Sequence, residues 1–156
     1  MSGTVAPTVA PWRVESPEAL ALIAQSEAEL AAIYPAEVRF AFSPQELVAA
    51  KVRFVVAWLD GAPAGCGGVA PLEGYGELKR IFTTRAARGR GVGRAVVTAL
   101  EAEALSLGLP LARLETGHLS PEAISLYTAL GYALRGPFGD YAENGSSVFM
   151  EKRLAP

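Results

Sequence analysis

The stretch Arg88-Gly89-Arg90-Gly91-Val92-Gly93 decides how this chain is read. It follows an apolar run and opens a long helical pattern. Glycines at alternate positions clear side chains from one length of backbone, so its N–H groups can approach a ligand and face it. The helix that begins there adds its unpaired first-turn N–H groups and the positive end of its dipole. Arg88, Arg90 and Arg94 supply fixed positive charge. Together these features describe a site for a phosphate or pyrophosphate.

Working outward, Glu77 to Thr83 reads as a strand with Leu78, Ile81 and Phe82 as its apolar members. The helix after the glycines runs from about Gly91 to Leu107, with Val92, Val96, Ala99, Leu100 and Leu107 on one face. Glu103 falls on that same face, and Gly108 ends the helix. Leu111 to Thr116 is the next strand. A strand–helix–strand crossover of this kind makes its two strands parallel. Upstream, Val52 to Leu59 and Pro63 to Pro71 form a hairpin over Asp60-Gly61. Gly65, Gly67 and Gly68 thin the second of these strands, a sign of a bulge or of close packing.

Ser16-Pro17 caps a helix reaching about Ile33, and Ser43-Pro44-Gln45-Glu46 is a capping box for a short helix to about Lys51. Trp12 to Glu15 alternates and reads as a first strand. Residues 1–11, with Thr-Val-Ala-Pro twice, read as a flexible leader ahead of a single domain over residues 12–156. Near the other end, Ser120-Pro121 caps a helix ending at Gly131. Tyr132 to Arg135 and Ser147 to Leu154 are the last strands. The loop between them, Gly136 to Ser146, carries Phe138, Asp140, Tyr141 and Glu143. The expected architecture is α/β: a mixed, mostly antiparallel sheet of about seven strands, the fourth and fifth parallel, flanked by about four helices.

Composition narrows the function. The chain has 156 residues, 51% hydrophobic and 19% charged, the profile of a globular protein. Its 14 basic and 16 acidic residues leave a net charge of -2, which argues against a nucleic-acid binder. Cys66 is the sole cysteine and His118 the sole histidine. An internal disulfide, a multi-cysteine metal site and a His-pair zinc site are therefore excluded, and no metal is expected. No apolar run reaches the roughly 20 residues that span a membrane. The start lacks a basic n-region, so a reducing cytoplasm is the expected compartment.

Two common phosphate folds fail. A P-loop needs Lys then Ser or Thr after its last glycine, and Arg94-Ala95 stands there. A dinucleotide-binding fold puts its glycines after the first strand, with an acidic residue about 20 positions on. Here the glycines lie mid-chain, and Ala112 to Thr116 offers only Glu115.

Arg88 to Gly93 resembles the Gln/Arg-x-x-Gly-x-Gly/Ala signature of the GNAT superfamily of N-acetyltransferases. The segment from Ser120 to Tyr127, followed by Leu130-Gly131-Tyr132, resembles that family's Asn-x-x-Ala-x-x-x-Tyr…Gly-Phe/Tyr element. Ser120 stands where the family often has Asn. The likeness covers roughly Val52 to Leu154. Leu114-Glu115-Thr116-Gly117 and Ser147 to Lys152 also look like a bacterial subgroup acting on small molecules.

That resemblance implies acetyl-CoA as co-substrate. Its pyrophosphate would rest on Arg88, Gly89, Arg90, Gly91, Val92, Gly93 and Arg94, and its pantetheine arm would add like a strand along Ile81, Phe82 and Thr83. Ser120 and Tyr127 would also touch it. The parallel strands would part beside a bulge to admit it. The implied reaction is direct attack of a neutral primary amine on the thioester in a ternary complex. An alkyl amine has a pKa near 10.4, so only about one molecule in a thousand is neutral at pH 7 and a base is needed. Glu77 and Glu115 are the candidate bases, ahead of His118. Tyr127 is the candidate proton donor to the leaving sulfur; its alternative is a tyrosine packed on the sheet. Cys66 reads as a small buried hydrophobe before it reads as a nucleophile.

For the acceptor, the family's use of its first helices and late loop implies Tyr34, Arg39, Phe42, Phe138, Asp140 and Tyr141. Asp140 among aromatics would suit a cationic amine, and a loop of this kind would equally suit a dimer contact; the acceptor itself is a small-molecule amine or a protein amino group. A homodimer is expected by family analogy only. The competing expectation is a non-catalytic acyl-CoA-binding regulatory module of the same fold.

Overall fold

The computed structural model describes residues 5–155. In chain order its elements are β1 (Thr8–Pro11), α1 (Pro17–Ile33), α2 (Pro44–Ala49), β2 (Arg53–Leu59), β3 (Ala62–Leu72), β4 (Tyr75–Thr83), α3 (Val92–Ser106), β5 (Leu111–Gly117), α4 (Pro121–Ala129), β6 (Ala133–Arg135) and β7 (Ser147–Arg153). One seven-stranded sheet has the order β1-β2-β3-β4-β5-β7-β6. Among the described residues only β4 and β5 pair in parallel. This is the mixed α/β architecture expected from the crossover around the glycine stretch.

Strand alternation sorts the core into two layers. From β2, Val55, Ala57 and Leu59 join α3 on one face of the sheet. Phe54 and Val56 join Leu22 and Ile23 of α1 and Leu47 of α2 on the other. The caps form as their residues dictate. The Ser16 hydroxyl accepts the Ala19 N–H, and Ser43 and Glu46 complete a reciprocal capping box. The thin middle of β3 has a packing reason: a Cβ on Gly67 would lie 2.8 Å from Val96 and 3.1 Å from Leu100, so α3 rests on bare backbone. Glu103 is partly exposed at the edge of that helix and takes the Ser106 hydroxyl. Glu101 makes the tertiary contacts instead, receiving Tyr132 Oη at 2.8 Å and Lys152 Nζ at 3.0 Å.

The first strand lies earlier than the alternation at Trp12 to Glu15 indicates. Thr8 to Pro11 pairs antiparallel with β2, from Thr8 opposite Trp58 to Pro11 opposite Val55. Trp12 continues the ladder by one bond, donating its N–H to the Phe54 carbonyl at 3.0 Å, and meets Trp58 edge-on at 5.0 Å. The chain then turns, with Ser16 N–H on the Arg13 carbonyl. Part of the segment read as a leader is thus an edge strand; residues 1–4 lie outside the described residues.

The functional geometry comes from how β4 ends. Its pairing with β5 stops after Gly76 opposite Ala112 and Glu77 opposite Arg113. Beyond that the two strands diverge. On its other side β4 gains one residue on β3: Gly68 faces Lys79 while Cys66 faces Phe82. Arg80, at φ +57°, sits in this bulge. Among the described residues, no helix is long and apolar enough to cross a membrane.

Candidate functional site

A cavity of about 610 Å³ fills the gap between the diverging strands. The glycine loop and the start of α4 line it on one side, and α1 with the segment following it on the other. Gly89 and Gly91 take left-handed conformations, φ +79° and +83°, and a Cβ on either would meet nothing within 4 Å. Gly91 is the N-cap of α3 and has no side chain to offer the helix. From Gly89 to Arg94, no backbone N–H finds an acceptor among the described residues. Bare, left-handed backbone of this kind can turn such N–H groups toward an anion. Gly93 has a different job. Its missing side chain lets α3 approach α4, because a Cβ there would stand 2.9 Å from Leu126 Cδ2.

The three arginines of the loop part company. Arg94 lines the cavity and has no carboxylate partner among the described residues. Arg88 also lines it, held by Glu29 at 2.5 Å and by the Thr83 carbonyl at 3.4 Å. Arg90 turns away to Asp60 in the β2–β3 hairpin, 3.3 Å distant, and does not line the cavity. Ile81, Phe82 and Thr83 lie along its wall, on the edge of β4 that β5 has left.

Glu77, Glu115 and Tyr127 all reach the cavity. Their surroundings differ. Glu77 is buried, with Oε2 taking the Tyr141 hydroxyl at 2.5 Å and Lys79 Nζ at 3.0 Å. Lys79 Nζ also donates to Tyr141 Oη at 2.7 Å and lies 4.1 Å from the centre of the Phe42 ring. Glu115 has no ionic partner within 4 Å among the described residues. Burial pushes its carboxyl up to about 7, against the opposing pull of a 2.7 Å bond from the Ser147 hydroxyl. The Tyr127 ring is buried edge-on against Tyr132 at 5.8 Å. Its hydroxyl has no hydrogen-bond partner among the described residues, and burial, then the charge of Glu115, pushes its ionisation up.

Tyr34 and Ser120 meet each other. Tyr34 Oη lies 2.9 Å from Ser120 Oγ and accepts the Leu119 N–H at 3.0 Å, while its ring lies over Gly117, where any side chain would collide with it. Ser120 therefore does not cap α4 with its side chain as its position before Pro121 leads one to expect: its hydroxyl is turned to Tyr34. Both residues line the cavity.

The late loop sends one of its three expected residues there. Tyr141 reaches the cavity. Phe138 does not: it is buried in an aromatic cluster with Tyr75, Tyr141 and Phe149, ring centres 5.1 to 5.8 Å apart. Asp140 is exposed and lies outside the lining. The loop has folded its apolar residue inward, which carries the neighbouring carboxylate out to water. His118 also lies outside the lining, its Nδ1 3.1 Å from the Ser146 carbonyl. Arg39 lines the cavity; Phe42 supports Lys79 from outside it. Cys66 is fully buried and burial pushes its thiol up to about 12, the behaviour of a small hydrophobe. The pairing of Lys79 with Glu77 and of Ser147 with Glu115 is given by no motif, although Lys79 stands two residues from Glu77, the spacing that shares a strand face.

A sheet opened between two parallel strands at a glycine loop defines a class of fold, and known proteins of that class resemble this chain. Residues 17–132 match the family model described as the acetyltransferase (GNAT) family. The chain belongs to that family. It is 42% identical over 135 residues to a protein named IAA acetyltransferase from Azospirillum brasilense, a match covering 85% of this chain and 88% of that one. It is 33% identical over 123 residues to the uncharacterized N-acetyltransferase YsnE of Bacillus subtilis, covering 77% and 82%. A crystal structure from Klebsiella pneumoniae, of a protein given only a provisional name as an acyl-CoA N-acyltransferase, superposes with a TM-score of 0.80 at 33% identity, covering 95% of this chain and 97% of that one. PaiA N-acetyltransferase of Thermoplasma acidophilum, solved in complex with coenzyme A, shares the fold at a TM-score of 0.73 and 17% identity, covering 96% and 99%.

Proposed function

We propose that this protein transfers the acetyl group of acetyl-CoA directly to a primary amine bound beside it. The observation that carries this reading is the row of acceptor-less N–H groups from Gly89 to Arg94, opening on the same cavity as Glu115 and Tyr127. The loop fits a diphosphate: its two left-handed glycines leave open the space a Cβ would enter, and Arg88 and Arg94 flank it. Bound there, acetyl-CoA supplies an activated acyl thioester.

The chain's own groups do the rest. The free edge of β4 at Ile81, Phe82 and Thr83 offers main-chain donors and acceptors to the amides of the pantetheine arm. A β4 N–H at that edge can meet negative charge developing on the thioester oxygen. Glu115 is the base. With its carboxyl raised to about 7, it is part ionised at neutral pH and basic enough to take a proton from an ammonium, directly or through water. Glu77 is already committed to Lys79 and Tyr141, and holds the late loop to β4. Tyr127 keeps its proton at neutral pH because burial opposes its ionisation, so it serves as a hydrogen-bond donor to the departing sulfur.

The test is thiol release from acetyl-CoA with a panel of polyamines, amino acids, aminoglycosides, peptides and IAA. Tyr127→Phe should lower kcat by roughly 10²-fold while acetyl-CoA affinity stays within about twofold. Tight acetyl-CoA binding with no thiol release from any acceptor would favour the non-catalytic module instead.

A further inference from the structure

Arg39 follows the short turn Ala36–Val38 and faces the cavity from the segment that precedes α2. That segment covers the Glu77 end: Lys79 Nζ donates to the Phe40 carbonyl at 3.4 Å, and Phe40 meets Tyr141 edge-on at 5.5 Å. The guanidinium of Arg39 makes no hydrogen bond to any described residue. Its one ionic contact is a long one, 3.7 Å to Glu27 Oε1, and its Nε is buried without a partner.

Glu27 is not free to neutralise it. The same carboxylate takes Nη2 of Arg80, whose side chain is 2% exposed and whose Nη1 is also buried without a partner. Two guanidiniums therefore share one carboxylate, and no other carboxylate lies within 4 Å of either among the described residues. Nearby, Lys79 and Glu77 cancel each other. Counting these contacts the charge left over is positive, with Glu46 acting on Lys79 and Arg80 only from farther off, and the planar fork of Arg39 is held by nothing beyond the long contact to Glu27. Such a fork is the natural partner of a carboxylate. Apolar Ile33, Val38 and Phe40 line the cavity on either side of it in sequence.

We propose that Arg39 binds a carboxylate on the acceptor, so that the preferred substrates are amino acids with an apolar side chain and not polyamines. This rests on the acetyl-transfer reading above and replaces the cationic acceptor expected from Asp140, which lies outside the cavity.

Two measurements test it separately from that reading. In the first, CoA-saturated protein is titrated with phenylacetate and with phenylacetamide, which share a shape and differ in charge. Phenylacetate should bind about tenfold or more tightly than the amide. The difference should vanish in Arg39→Gln and return in part in Arg39→Lys, with CoA affinity the same in all three proteins. Equal binding of acid and amide, no binding of either, or a preference that survives in Arg39→Gln would overturn the proposal. So would a loss of CoA affinity in Arg39→Gln, which would assign the guanidinium to the donor. In the second, thiol release is compared for L-amino acids and their amides. The acids should lead in kcat/KM by about tenfold or more in the native protein and by less than about twofold in Arg39→Gln. Amides that react as well as acids would overturn the proposal; no thiol release from either, with acid binding intact, would instead count against acetyl transfer.

Discussion

Glu77 and Glu115 lie on neighbouring strands and face one cavity, yet their surroundings differ: Glu77 is paired with Lys79 and Tyr141, Glu115 with Ser147. Glu115 is held near neutrality by burial, so kcat/KM in the native protein should rise with pH through about 7 as it loses its proton. In Glu115→Gln that limb should disappear, with a loss of roughly 10²-fold or more in rate. The same group leaves a mark on stability. Between the ordinary value of 4.5 and about 7, the folded protein holds a proton that the unfolded chain has released. Unfolding then releases protons, so stability falls as pH rises across this window, and Glu115→Gln should flatten the fall. Urea titrations at several pH values check it. Glu77→Gln should behave otherwise. It strips the buried Lys79 ammonium of its carboxylate and should cost about 3–5 kcal/mol in the same titrations, far more than Glu115→Gln at neutral pH. The sequence shows both carboxylates but not this division. It depends on Tyr141 and Ser147, brought from 64 and 32 residues away. The outward position of Asp140 is not written in the sequence for a related reason: a loop has no periodicity from which to read direction, and here Phe138 is the residue that is buried.

At the scale of an element, the turn from β4 into α3 was the most legible part of the chain. Glycine is needed at Gly89 and Gly91 for left-handed backbone, and that need is written in the sequence. The substitution for testing it must respect the same geometry. Valine at position 91 would strain a backbone at φ +83° as well as filling the space beside the loop, confusing two effects. Asparagine tolerates the left-handed region. Gly91→Asn should therefore melt within a few degrees of the native protein while its acetyl-CoA dissociation constant, measured by calorimetry, rises about tenfold or more. Native-like affinity in that variant would remove the loop from the donor site. Other elements were legible through their caps, as at Ser16 and Ser43. β1 was not. Its Thr-Val-Ala-Pro is only four residues long and ends in proline, too short to announce a strand, and it is held by pairing with β2.

For the whole molecule, the parallel pairing of β4 with β5 follows from the crossover around α3 and is readable in the sequence, whereas the place of β7 between β5 and β6 is not. The opening that makes the sheet useful was expected only from the family likeness. Sequence marks a bulge where glycine supplies it, but here the left-handed residue is Arg80, kept in place by Glu27 and by a 2.8 Å bond to the Phe42 carbonyl. Tertiary contacts pay for that conformation, so no local pattern reveals it. The sheet thus places a row of acceptor-less N–H groups, a free strand edge, a near-neutral carboxylate and an unionised phenol around one cavity, and the proposed chemistry depends on a single ligand touching all of them. A crystal structure of the protein with acetyl-CoA tests this most directly. The diphosphate should sit on the N–H groups of Gly89 to Arg94, with the pantetheine arm between β4 and β5 and the sulfur beside the Tyr127 hydroxyl. A diphosphate bound elsewhere, or an arm lying outside the gap between those strands, would contradict the account.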